Sequence, residues 1–115
     1  MKKIRTNIIP PKGFAAITLY PFVFVRKEWA QRTNIEKYWN VMQHEEIHGA
    51  QQKEMLLIGF YLWYLVEWLV KWAYYMDAVK AYKAISFERE AYANESDAMY
   101  LYNRSHFSWL EYIRK

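Results

Sequence analysis

The sequence predicts a mainly α protein with a small β element near its N-terminal end, an α+β domain. Three observations carry this. Apolar residues recur at helical spacing over most of residues 33–102. β-Branched and aromatic residues are concentrated instead in residues 14–25. The 115 residues hold no repeat, low-complexity run or linker, so residues 1–115 read as one domain with a modest core.

Residues 1–13 read as an irregular lead-in ending in the turn Pro10-Pro11-Lys12-Gly13. Ile17, Thr18, Leu19, Tyr20, Phe22, Val23, Phe24 and Val25 read as extended chain. Pro21 has no backbone donor, so it marks an edge strand, a bulge or the meeting of two short strands. The polar residues 26–32 read as a turn or loop. Thr33 starts a helix, because Glu36 three residues later completes a capping box. Ile35, Tyr38, Trp39, Met42 and Ile47 continue it. Residues 55–76 are apolar nearly all round a helix, with only Glu67 and Lys71 charged, four apart and placed to pair. A second long helical pattern covers residues 78–102. Asp77 or Ser86 is its cap and Asn103 its end, and Ser105 caps a last short helix through Arg114.

Composition narrows the function classes. With no cysteine there is no disulfide framework and no thiolate metal site, which fits a reducing compartment. The basic start Met1-Lys2-Lys3-Ile4-Arg5 is followed by no apolar signal core, so secretion is not expected. The net charge of +4 comes from scattered Lys and Arg without a nucleic-acid motif, so nucleic acid is not an expected partner. Six Trp and eleven Tyr supply core mass but also populate interfaces and membrane boundaries.

The run His44-Glu45-Glu46-Ile47-His48 carries the chemistry. Histidines four apart project from one helix face, so both rings reach one metal ion. The intervening Glu45 then lies beside the open coordination position, where it takes a proton from water. With three His and ten Glu in the chain, the pattern arises by chance in roughly 1 in 150 such chains. Two histidines leave a catalytic site one protein ligand short. Glu67, Glu88, Glu90, Glu95, Asp97 and His106 are the candidates. Spacing puts Glu88, Ala91, Tyr92 and Glu95 on one face and Glu90, Ala93, Asn94 and Asp97 on another. Periodicity leaves open which of them meets the histidines.

H-E-x-x-H on a helix, with E-x-x-A (Glu88 to Ala91) about 40 residues on, resembles the gluzincin zinc metallopeptidases, especially their minimal single-domain forms. The resemblance covers residues 17–97. It implies a zincin-like fold, in which a strand precedes the metal helix and a second helix carries the third ligand. It implies Zn²⁺ held by His44, His48 and Glu88, with Glu45 as catalytic base and a peptide or protein as substrate. One departure stands out. Many gluzincins have an Asp four residues after the ligand Glu to orient a ligand histidine; here that place holds Tyr92, or Asn94 if Glu90 is the ligand. The same ligand set also suits non-haem iron.

Geometry then constrains residues 49–87. A straight helix from His48 to Met76 ends about 42 Å away, and twelve residues back to Glu88 extend at most roughly 40–43 Å. If Glu88 meets the histidines the chain reverses in between, and Gly59 and the region around Asp77 are the expected places. An all-round apolar helix is hard to bury in so small a protein. Residues 55–76 are therefore expected to serve as core plus a homo-oligomer or membrane-surface contact. The expected location is the cytoplasm, peripheral at the inner face of a membrane if that contact forms. The competing reading is a non-catalytic metal-stabilised or membrane-surface interaction protein.

Overall fold

The computed structural model describes residues 1–113. Strands β1 (Lys2–Thr6), β2 (Ala16–Leu19) and β3 (Phe22–Arg26) form a sheet in the order β1-β3-β2. β1 runs parallel and β2 antiparallel to β3. Helices α1 (Lys27–Arg32), α2 (Ile35–Glu54), α3 (Ile58–Tyr75), α4 (Ala78–Ala84), α5 (Ser86–Asn94) and α6 (Tyr100–Asn103) follow, then a 3-10 helix (Ser108–Tyr112). A mainly α chain with a small N-terminal sheet is the architecture the residue pattern predicts.

α2 is the central element, with β2 on one side and α5 on the other. Between sheet and helix, Val23, Val25 and Met42 are buried. Beyond its far end, Phe60, Ile85, Phe87 and Trp109 form a second apolar cluster, with the Phe60 and Phe87 rings stacked at 4.5 Å.

Several elements differ from the sequence reading. Residues 2–6 are a strand, paired along β3 from Lys2 opposite Phe22 to Thr6 opposite Arg26. Only Ile4 and Thr6 of that strand are even half-buried. A partner edge thus makes the strand, without an apolar alternation of its own. Residues 27–32 are helical, with Glu28 in the first turn and Arg32 in the last, matching the helix dipole. Leu19 pairs with Phe22, so Pro21 lies in the turn where two short strands meet. The cap of α2 is Asn34, whose side chain accepts the Lys37 N–H at 2.8 Å; Thr33 instead ends α1.

The long apolar run and the second helical pattern are both broken. α2 and α3 meet at 112°, through Leu56 and Leu57 at φ 55° and 62°. Left-handed backbone costs roughly 1–2 kcal/mol at each such non-glycine residue, which the packing of α3 on α4 and of Phe60 on Phe87 offsets. Gly59, one expected bend, lies inside α3. The other expected bend is present: Asp77 caps α4 by accepting the Val79 and Lys80 N–H groups. Ser86 begins α5 without capping it; its N–H and hydroxyl both donate to Glu67 at 2.6 Å. Lys71 pairs with Glu67 at 2.8 Å, as their spacing implies. Asn103 ends α6. Ser105 caps no helix, since its carbonyl accepts the Ser108 hydroxyl; Arg114 lies outside the described residues. No described helix is long and apolar enough to cross a membrane, and only the bent pair α2–α3 together has that length and composition.

The cap of α2 is testable. Asn34→Ala is expected to cost about 1 kcal/mol in urea unfolding, the usual cost of removing a side-chain cap. Thr33→Val should be neutral or stabilising, because the buried Thr33 hydroxyl has no hydrogen-bond partner. The opposite order would restore the capping box at Thr33.

Candidate metal centre

α2 presents one stripe to the sheet and another to α5. Glu45 and Gln52 face β2. The Thr18 hydroxyl lies 2.7 Å from Glu45 Oε1, and Gln52 donates to the Thr18 carbonyl while accepting from the Tyr20 N–H, both at 2.8 Å. His44, His48 and Gln51 face α5, where Gln51 donates to the Phe87 carbonyl and to Glu90. Ala91, fully buried, lets the two helices approach; Ala93 is exposed.

The sidedness of the imidazoles decides the chemistry. Gln51 uses its Nε2 on Phe87 and Glu90, so its Oε1 faces His48 Nδ1 at 2.8 Å. A carboxylate oxygen of Glu95 faces His44 Nδ1 at 2.9 Å. Both Nδ1 atoms therefore donate, and in neutral rings both Nε2 atoms present lone pairs. The two Nε2 atoms are 3.1 Å apart, and Glu88 Oε1 lies 3.0 Å from that of His44 and 3.1 Å from that of His48. With neutral rings three buried acceptors thus converge on one point, which a ring proton or a bound metal ion satisfies. Ligand atoms about 2.0–2.1 Å from a tetrahedral ion are about 3.3–3.4 Å apart. The triangle here is slightly tighter, at hydrogen-bonding separations. Glu45 also brings an oxygen within 4.8 Å of the ring nitrogens, and the buried His44, Glu45 and His48 form a group able to hold a metal ion. Among the four side chains, Glu88 is the carboxylate in contact with both rings, while Glu45 is held by Thr18.

The other candidate ligands lie elsewhere. Glu67 is taken by Lys71 and Ser86. Glu90 is fully buried between Arg104, Tyr100 and Gln51. Asp97 accepts the Met99 N–H. His106 is exposed and sits 3.7 Å from Glu54. Glu95, weighed as a ligand, instead holds His44 Nδ1, the role expected of position 92 or 94. Tyr92 meets the His44 ring edge-on at 4.4 Å, and Asn94 donates to Glu90 O and Tyr112. Sequence reasoning missed Thr18, Gln51, Tyr64, Tyr82 and Arg104. Tyr64 donates to the free Glu88 oxygen at 2.7 Å, and Arg104 ties Glu90 to Glu54. Gln51, three residues after His48, was the one with a local signal, because i and i+3 share a helix face.

Charge follows this geometry. Burial pulls His44 down, but hydrogen bonds to Glu88 and Glu95 outweigh it and push the ring up to about 10. Burial likewise opposes the charge on His48, and the facing Glu88 raises it nonetheless. Burial alone would raise Glu88; the two imidazoles hold it well below the carboxylate range. Glu45 is raised by burial, partly opposed by His48, His44 and Thr18. Two cavities meet at Glu45. One, of about 660 Å³, is lined by His44, Val41, Trp68 and Tyr92; the other, of about 350 Å³, by His48, Glu88, Phe60 and Leu19. Phe14, Ala16, Glu45, Tyr64 and Tyr82 line both.

These shifts fix a sign. His44 titrates in the folded protein at about 10, against 6.5 when unfolded. Its proton therefore stabilises the metal-free fold fully below pH 6.5, and that contribution is lost as pH rises toward about 10. A metal ion must displace that proton, so its apparent affinity should rise about tenfold per pH unit across this window. The Tm gain on adding zinc should accordingly be larger at pH 8 than at pH 6; an equal gain would refute the displacement. Glu95→Gln keeps the shape but weakens the hold on His44, and should lower metal affinity about 10- to 100-fold by titration.

Comparison with protein-family models, with curated proteins and with solved structures gives no match for this chain, so the functional reading rests on the geometry of this site.

Proposed function

We propose that the chain is a zinc-dependent hydrolase of peptide bonds, zincin-like in arrangement and similar to the gluzincins in its ligand set. The observation that carries this is the contact of Glu88 Oε1 with both Nε2 atoms while both Nδ1 atoms are held as donors. In this reading His44, His48 and Glu88 hold the ion. Bound there, zinc supplies Lewis acidity toward a carbonyl oxygen and toward water.

The remaining chemistry belongs to the chain. Glu45, raised by burial, accepts a proton from the attacking water and passes it to the leaving nitrogen as the C–N bond breaks. Thr18 serves both states of that carboxyl. Its hydroxyl lies 2.7 Å from Glu45 Oε1 and 3.0 Å from the Glu45 carbonyl oxygen. With Glu45 charged, Thr18 donates to Oε1. Once Glu45 is protonated, Thr18 turns its proton to the carbonyl and accepts from the carboxyl. Tyr64 and Tyr82 line both cavities; with Tyr64 donating to Glu88, Tyr82 is the phenol left to meet a bound carbonyl in this reading. β2 is one of the two edge strands and its Ala16 lines both cavities; Gln52 occupies the Thr18 carbonyl and the Tyr20 N–H, so in this reading an extended peptide pairs at the Ala16 end and crosses Glu45.

Glu45→Gln is the test. Metal content should stay near one ion per chain and the Tm nearly unchanged, while hydrolysis of a fluorogenic peptide mixture falls about 10²- to 10⁴-fold. Retained metal with no hydrolysis by either form would favour a structural metal site. Loss of metal in the variant would make Glu45 a ligand.

A further inference from the structure

The outward face of α3 is at odds with water. Ile58, Leu62, Leu65, Val66, Leu69 and Val70 are each between 47% and 72% exposed. At 100° per residue they spread over an arc of roughly 140°. The charged residues of the segment are turned the other way: the side chains of Glu67 and Lys71 are only 10% and 19% exposed, paired with each other and bonded to Ser86 and Ala84. Glu54, just before the bend, is likewise buried against Arg104. From residue 54 to residue 76 no charged side chain is exposed, whereas Lys53, Asp77 and Lys80 on either side are.

A helix at a water boundary keeps its charges outside and its apolar residues inside. Inward, mutually paired charges beneath an apolar exterior are the arrangement that a hydrocarbon environment selects. The arc is also broader than the narrow seam that one partner helix covers. At the far end Trp72, Tyr74 and Tyr75 are exposed, and the Lys80 ammonium lies 4.9 Å over the Tyr75 ring. Aromatic rings next to a cation suit the headgroup level, and the net charge of +4 suits anionic lipid.

We infer that α3, with the Leu56–Leu57 bend before it, lies in the surface of an anionic bilayer, its outward face among the acyl chains and Lys53 and Lys80 at the headgroups. This goes beyond the hydrolase reading and does not depend on it. The test is flotation of the full chain with vesicles of about 70:30 phosphatidylcholine to phosphatidylglycerol, at low salt and at about 0.5 M salt. The protein should float under both conditions. Leu65→Glu/Leu69→Glu should bind at least tenfold more weakly while keeping its circular dichroism and Tm. If that pair disturbs folding, Val66→Ser/Val70→Ser takes its place. A protein that stays at the bottom as a monomer overturns the inference. So does one that forms a lipid-independent dimer lost in the variant, which assigns the face to a second copy. Binding abolished by salt alone assigns it to scattered lysines, and overturns it too.

Discussion

Three lone pairs aimed at one buried point are the constraint on which this structure turns. Nε2 of His44, Nε2 of His48 and Oε1 of Glu88 lie within 3.1 Å of one another, and none brings a proton of its own once both Nδ1 atoms donate outward. Leaving such acceptors unpaired inside a protein costs several kcal/mol. The fold meets this with a proton or a metal ion, and it fixes the ring orientations so firmly that the choice lies between those two. Glu95 and Gln51 do the fixing. Gln51 is in turn fixed by Glu90, Glu90 by Arg104 and Tyr100, and Arg104 by Glu54. A single chain of partners thus runs from His48 to the segment after α6, far from it in sequence.

The bends of the chain serve the same point. α2 carries the histidines and α5 the carboxylate, so the intervening residues must leave and return. The turn at Leu56 and Leu57 and the capped turn at Asp77 accomplish this, with α3 laid across the gap. α3 closes the site with its inner face: Tyr64 bonds Glu88, and Phe60 packs between His48 and Phe87. The backbone strain at two leucines is tolerated because the element it aims is held at several places. Glu67 grips the first residue of α5, and Trp68 donates to the Ala78 carbonyl.

What the sequence made legible follows the reach of its signals. His44, Glu45 and His48 share a local spacing, and Glu88 with Ala91 and Glu95 another, so both faces could be read and their meeting framed by chain-length geometry. The choice of Glu88 over Glu90 rested on a resemblance; periodicity was silent, because the phase of α5 against α2 is set by packing. β1 was invisible because a parallel partner from elsewhere makes it a strand. The bend at residues 55–57 was hidden because leucines stand where glycine would have marked it. Asn34 displaced Thr33 as cap by one position, within the range over which two adjacent cap-forming residues compete. The carboxylate that meets His44 Nδ1 is Glu95, three places beyond position 92 and one beyond position 94.

The distribution of polarity ties these features together. Among the described residues the buried set holds about as many polar side chains as apolar ones: Thr18, Arg26, Glu45, Gln51, Gln52 and Glu90 are interior, while much of α3 is outside. A small domain normally stabilises itself by burying apolar surface. Here the interior is occupied by a hydrogen-bonded network that must be complete to be stable, because each unmet group would cost more than a lost contact. The aromatic and aliphatic residues displaced from that interior line α3, where they do not favour the fold in water. A cation at the centre and a non-aqueous medium at the α3 face each remove one of these two costs. The buried charges are meanwhile met within the chain, Glu90 by Gln51, Tyr100 and Arg104, and Arg104 by Glu54.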